Sequence, residues 1–299
     1  MRFSPALLTT FIASVLAAGA AAQQPLKVFI SADMEGVAGA VTPEQLGPTG
    51  FEYNRFREFM TEEVLAAIEG ARAAGATEIV VADSHGNMQN LLIDRLPADV
   101  TVVRGSPRPL SMMQGIDSTF AAAVFIGYHS AATNQEGVRA HTMSSARYAA
   151  VKLNGTPIAE SAMNAAIAGH FGVPIVMISG DDAAVAELQA VVPGVEGAVV
   201  KRAIGFHAAA TMTPEAARAL IRDRVRAGIA KRAEIGPRRV QTPVRMELTF
   251  KNYRPAEILA YLPIVERAAD RTIAYTAPTI LDISRFLVFV GAFSADIDP

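Results

Sequence analysis

Apolar runs and helically spaced apolar positions alternate along the first two thirds of the chain. Lys27 to Ala32 (KVFISA), Glu78 to Ala82 (EIVVA), Thr101 to Val103, Ala122 to Ile126 (AAVFI) and Pro174 to Ser179 (PIVMIS) are short and almost uninterruptedly apolar. Such runs predict strands buried on both faces of a largely parallel sheet. Between the first two, Phe56, Met60, Val64, Ala67, Ala71 and Ala74 recur at steps of three and four before Gly75, which predicts a helix with one apolar stripe. A second helix is predicted after Pro157, carrying Ala162, Ala166 and Ile167 and ending near His170. This alternation argues an α/β fold, a mostly parallel sheet flanked by helices.

The last third has a different texture. Thr213-Pro214-Glu215 reads as a capped helix start leading into Leu220, Ile221, Val225 and Ile229, with Pro at the first helical position. Strand-like stretches follow at Val240 to Phe250 and Thr272 to Tyr275. The expected organisation is a metal-binding α/β domain over 23–193 and a smaller C-terminal α+β domain over 194–299, with a soft boundary near Pro193. Phe286 to Phe293 (FLVFVGAF) is too short to span a membrane, which takes roughly 20 apolar residues, and reads as core.

Residues 1–22 (MRFSPALLTTFIASVLAAGAAA) change the picture of location. One Arg, a short apolar run and Ala20-Ala21-Ala22 before Gln23 make the pattern of a signal peptide. The mature chain is expected to be exported, periplasmic or secreted, with no membrane association once the leader is removed. A formal charge of -2 provides no basic footprint for nucleic acid. The chain has no Cys, so disulfides, thiolate metal sites and Cys nucleophiles are excluded together. Any metal must be held by His, Asp, Glu or backbone oxygens.

Candidate chemistry gathers where the predicted strands end. The first strand runs into Asp33-Met34-Glu35-Gly36, the second into Asp83-Ser84-His85-Gly86 and the fourth into Gly127-Tyr128-His129. In extended chain, residues two apart project to one side, so Asp33 and Glu35 can converge with Met34 turned inward. Two such carboxylates repel unless a cation or a proton intervenes. Each feature alone is weak: a D-x-E is more often a solvated strand end, and a lone His is usually a satisfied loop or core residue. Their coincidence at the carboxyl ends of strands, where open α/β sheets bind ligands, points to a metal site. His141 also follows a strand end. His170 is explained by a helix C-terminus, and His207 has no carboxylate context. Glu160 falls in a first helical turn, where the dipole favours a carboxylate in any case. Asp181-Asp182 reads as an N-cap. Asp83 is open between orienting His85 and simply ordering a turn.

The segments ISADMEGVAG (30–39), VADSHGNMQN (81–90), GYHS (127–130), HTM (141–143), AESAMNA (159–165) and VMISGDD (176–182) occur in order. Together they resemble the zinc-dependent D-aminopeptidases of the DppA type over nearly all of the mature chain. The resemblance implies two zinc ions per subunit, held by Asp33, Glu35, His85, His129 and Glu160, with Asp33 bridging. It places the family's proposed catalytic histidine on His141, as base, acid or nucleophile. Oxygen and nitrogen donors suit zinc at hydrolytic sites, where activated water replaces a Ser or Cys nucleophile. The implied activity is removal of N-terminal D-residues, D-Ala foremost, from short peptides, in a ring-shaped homo-oligomer. Two features depart from the family: the leader, and the segment Thr42 to Gly50 (TPEQLGPTG), which bears on the substrate entrance. Two other readings compete. One keeps the metal pair and changes the bond, as an amidase or phosphoesterase. The other is an exported solute-binding protein, which the clustered acids and histidines do not suit.

Overall fold

The computed structural model of the chain describes Met1 and residues 25–293; beyond Met1, the expected leader lies outside the described residues. In chain order the strands are β1 (Lys27–Ala32), β2 (Glu78–Asp83), β3 (Val100–Val103), β4 (Ala122–Tyr128), β5 (Tyr148–Leu153), β6 (Thr156–Pro157), β7 (Ile175–Asp181), β8 (Glu196–Gly205), β9 (Ala208–Thr211), β10 (Val244–Phe250), β11 (Glu266–Ala269) and β12 (Thr272–Ala277). The helices are α1 (Tyr53–Ala73), α2 (Glu160–His170), α3 (Asp182–Val191), α4 (Pro214–Ala230), α5 (Tyr253–Leu259) and α6 (Ile280–Ala292).

The larger sheet has the order β3-β2-β1-β4-β7-β8-β9 and is parallel except for β9. Its central strands β4 and β7 are buried along their whole length, which is why they read as unbroken apolar runs. From β1 the chain builds outward through β2 and β3, and from β4 it builds the opposite way through β7 and β8. The order therefore reverses between the neighbours β1 and β4, and a crevice forms at the carboxyl ends of strands at such a point. Asp33 and His129 are the residues that leave those two strands.

The smaller sheet, β11-β12-β10-β5-β6, is antiparallel. Along β10, buried and half-buried residues alternate, as expected for a sheet with one face on the core. Helix α6 covers part of it, stacking Phe286 on Tyr275 with ring centroids 4.2 Å apart. The apolar run over 286–293 thus falls largely within this helix, and among the described residues no helix is long and apolar enough to cross a membrane. Both sheets draw on chain from either side of Pro193. β5 and β6 join the smaller sheet, while β8, β9 and α4 serve the larger one.

Two glycines bring the β1 and β4 ends into contact. Asp33 N donates to the Ile126 carbonyl at 2.8 Å and Gly36 N to the Gly127 carbonyl at 2.7 Å. A Cβ on Gly36 would lie 2.1 Å from the Tyr128 carbonyl oxygen, and one on Gly127 would lie 2.2 Å from that of Asp33. Gly127 also has φ +70°, which L side chains disfavour. Any larger residue at either position would drive the two loops, and the side chains they carry, apart.

Candidate metal centre

The two Asp33 oxygens face different partners. Oδ1 lies 3.1 Å from His85 Nδ1, and that nitrogen is 2.9 Å from Glu35 Oε2. Oδ2 lies 3.5 Å from His129 Nε2, which is 3.3 Å from Glu160 Oε1. His141 Nε2 approaches the same Glu160 oxygen at 3.6 Å. The structure thus brings Asp33, Glu35, His85, His129, Glu160 and His141 together, and the first five are buried. His170 ends α2 and His207 lies exposed beyond β8; neither joins the cluster.

Each imidazole spends one nitrogen on a backbone carbonyl. His85 Nε2 donates to Leu46 at 2.6 Å, His129 Nδ1 to Ser130 at 3.0 Å and His141 Nδ1 to Arg139 at 2.9 Å. A carbonyl can only accept, so those nitrogens carry the hydrogens and, in a neutral ring, the lone pairs face the carboxylates. Fixing the tautomer through the outer nitrogen is how metal-binding histidines are commonly held. Lone pair against carboxylate is repulsive, and a positive charge must lie between them.

The titration behaviour expresses that demand. Burial, reinforced by Glu35, pushes Asp33 up to about 7. Burial opposes charge on His129, yet the Glu160 and Asp33 carboxylates raise it to about 10. Burial likewise works against Glu35 ionising, but His85 holds its carboxyl well below the usual range. His141 is the exception: burial, then the neighbouring His129, lowers its pKa and favours the neutral ring. The two rings stack nearly parallel at 4.0 Å.

The donor set suits a cation. Asp33 Oδ2 and His129 Nε2 are buried without hydrogen-bond partners. Donor atoms of Asp33, Glu35 and His129, and those of His129, His141 and Glu160, form two groups each within 4.8 Å. Carboxylate and imidazole donors with no thiolate match zinc at hydrolytic centres.

Residues beyond these six hold the arrangement. The buried Lys201 ammonium on β8 donates to the carbonyls of Glu35, Val37 (3.1 Å) and Ala40 (2.5 Å), fixing the loop that bears Asp33 and Glu35. Glu63 on α1 accepts from Ala38 N at 2.9 Å, and burial pushes its carboxyl up to about 7. Asp83 accepts from Asn90 N, Asn90 Nδ2 and Leu91 N. It orders the turn after β2, while the Leu46 carbonyl orients the His85 ring. Asp181 caps α3 by accepting from Ala184 N at 2.7 Å, and its other oxygen accepts from Val138 N at 2.6 Å, tethering the segment before His141. Lys201 shows in the sequence only as a charge after an apolar pair, and Glu63 only as one acid in a helical Glu62-Glu63 pair. Their partners are backbone atoms far along the chain, which no local motif reveals.

The cluster opens into a cavity of about 460 Å³. Pro43, Leu46 and Thr49 of the 42–50 segment form one wall, and Arg139, Met143 and Ser144 line it elsewhere. That segment is compact: Gln45 Oε1 accepts from Val41 N and Thr42 N, and Gln45 Nε2 donates to Glu52.

A family model described as D-aminopeptidase, peptidase M55, matches residues 26–289. The chain is 32% identical over 259 residues to a D-aminopeptidase of Bacillus subtilis (strain 168), covering 86% of this chain and 93% of that protein. Its fold is similar to that of the Zn-dependent D-aminopeptidase DppA from Bacillus subtilis, described as a self-compartmentalizing protease. The TM-score is 0.85 at 29% identity, over 91% of this chain and 100% of the other.

Proposed function

The chain belongs to the M55 family, the D-aminopeptidases, and from that premise we propose a zinc-dependent aminopeptidase that removes N-terminal D-residues, D-Ala foremost, from short peptides. The proposal includes two zinc ions per chain. The observation that carries it is the division of the Asp33 carboxylate between two histidines, Oδ1 toward His85, which also meets Glu35, and Oδ2 toward His129, which also meets Glu160. In this reading Asp33, Glu35 and His85 would hold one ion, and Asp33, His129 and Glu160 would hold the other. Three carboxylates then offset most of the charge of two divalent cations. Zinc supplies Lewis acidity, polarising a peptide carbonyl and lowering the pKa of water.

The chain's own residues do the rest. His141, with Nδ1–H committed to the Arg139 carbonyl, presents Nε2 as a proton acceptor at the edge of the cluster. Its lowered pKa keeps that nitrogen free near neutrality. It takes a proton from the attacking water and returns one to the leaving amine. The buried walls limit water around the reacting groups, which strengthens their electrostatic interactions. Preference for D- over L-residues rests on family membership. The self-compartmentalizing relative supports assembly into a homo-oligomer, and the leader pattern in residues 1–22 supports export.

Hydrolysis of matched D-Ala and L-Ala p-nitroanilides by the mature chain, with chelator and zinc add-back, tests the reading. Zinc-dependent cleavage of the D form is expected. L-selective turnover would overturn the substrate assignment, and activity indifferent to chelation would overturn the metal chemistry.

A further inference from the structure

Arg139 lines the same cavity as Asp33, Glu35, His85, His141 and Glu160, and Glu35 and Glu44 favour its charge only from a distance. Among the described residues, no carboxylate oxygen lies within ion-pair distance of its guanidinium, and its Nε is buried without a hydrogen-bond partner. The side chain is nevertheless fixed. Its guanidinium carbon lies 4.8 Å from the centroid of the Phe206 ring, and its backbone N donates to the Phe206 carbonyl at 3.0 Å. The residue sits at φ +55°, a left-handed conformation that arginine disfavours. Its carbonyl accepts from His141 Nδ1 at 2.9 Å, so it is coupled directly to that ring.

We propose that Arg139 anchors a carboxylate of the peptide substrate. The inference rests on the aminopeptidase reading, in which three carboxylates face two divalent ions and no further cation is needed for charge balance. A guanidinium presents a rigid fork of donors matched to a carboxylate, and stacking on Phe206 holds that fork in place before the substrate arrives. In a dipeptide the terminal carboxylate lies about one residue, ~3.5 Å, beyond the bond to be cut. An anchor for it must share the cavity with the reacting groups, as Arg139 does. A longer peptide carries its terminus farther from the reacting groups, so such an anchor favours short peptides. An acidic side chain on the N-terminal residue provides the same chemistry from a second source.

The test uses two substrate pairs with the zinc-loaded chain, Arg139→Met and Arg139→Lys. D-Ala-Gly against D-Ala-Gly amide isolates the terminal carboxylate, and D-Glu-Gly amide against D-Gln-Gly amide isolates the side chain. The readouts are the kcat/KM ratio within each pair and the ratio of dissociation constants from calorimetric titration. The native chain is expected to favour the acid of one pair by roughly 10- to 100-fold, the range of a charge-assisted pair. Arg139→Met brings that ratio near one, and Arg139→Lys, keeping charge without the fork, retains part of it. Equal ratios in the native chain and Arg139→Met, for both pairs, overturn the proposal. If no peptide is hydrolysed, the aminopeptidase reading fails, and the binding ratios still decide the role of Arg139.

Discussion

Asp33 Oδ2 and His129 Nε2 face each other at 3.5 Å, both buried and neither hydrogen-bonded to anything else. A buried polar atom without a partner costs about 1–3 kcal/mol, so two of them turned toward one another mark a place built for a cation. The other Asp33 oxygen, Oδ1, lies 3.1 Å from His85 Nδ1 and also accepts from Met34 N. This division predicts that the halves of the centre load separately. Glu35→Gln or His85→Ala should lose one zinc equivalent and keep the other, and Glu160→Gln or His129→Ala should do the reverse. Metal analysis after exhaustive dialysis checks this. Loss of both equivalents from any one of these four substitutions would contradict it.

His141 touches Glu160 at a longer distance than His129 does and is the one histidine of the cluster held toward its neutral form. His141→Ala should lower kcat by about 10²- to 10⁴-fold, the usual range for a general acid or base, with zinc content near that of the native chain. A parallel fall in zinc content would instead make His141 a ligand.

Lys201 satisfies three backbone carbonyls in the loop that carries Asp33 and Glu35. Lys201→Met leaves the Glu35 and Ala40 carbonyls without their donor, while the Val37 carbonyl keeps Ala40 N, at a cost of about 2 kcal/mol or more. Denaturant unfolding should show that loss, and zinc competition should show affinity reduced by roughly 10- to 100-fold, as for other groups that orient ligands. Native affinity in a destabilised variant would separate the loop from the metal centre.

Glu63 bears on pH. Its carboxyl sits at about 7 in the folded chain, against an ordinary value of 4.5, because it is buried. Between those values the folded state holds a proton that the unfolded state has released, so this contribution to stability is intact below about 4.5 and is lost as pH rises through 7. The loss is at most roughly 3 kcal/mol. Glu63→Gln, which keeps an acceptor for Ala38 N, should be stable relative to the native chain at pH 8 and lose that advantage near pH 4.5. Unfolding curves at both pH values measure it, and a difference that does not change with pH would contradict the assignment.

The parallel strands were legible because burial on both faces writes them as unbroken apolar runs. β1 covers the residues expected of it, β2, β3 and β4 differ by one or two residues at one end, and β7 starts one residue later and ends two later than expected. The polar residues that leave β1, β2 and β4 were legible for the same reason, as sudden charges after such runs. β5 and β8 were not, because half-exposed strands such as Tyr148–Leu153 mix polar and apolar positions. The 286–293 run was apolar enough to read as core, yet periodicity alone did not distinguish strand from helix; it lies in α6, with Phe286 and Leu287 buried and Phe289 exposed. The Leu46 carbonyl beneath His85 and the carbonyls around Lys201 left no trace, since a backbone atom carries no residue signature. Asp83 had two readings in the sequence, and its three contacts with Asn90 and Leu91 make it the organiser of a turn.

The shared Asp33 carboxylate is the centre of the account, and the zinc content of the native chain beside that of Asp33→Asn tests it most directly. Two equivalents per native chain, with both lost or sharply weakened in the variant, is the predicted result. Two equivalents retained in Asp33→Asn, or no more than one bound by the native chain, would contradict it.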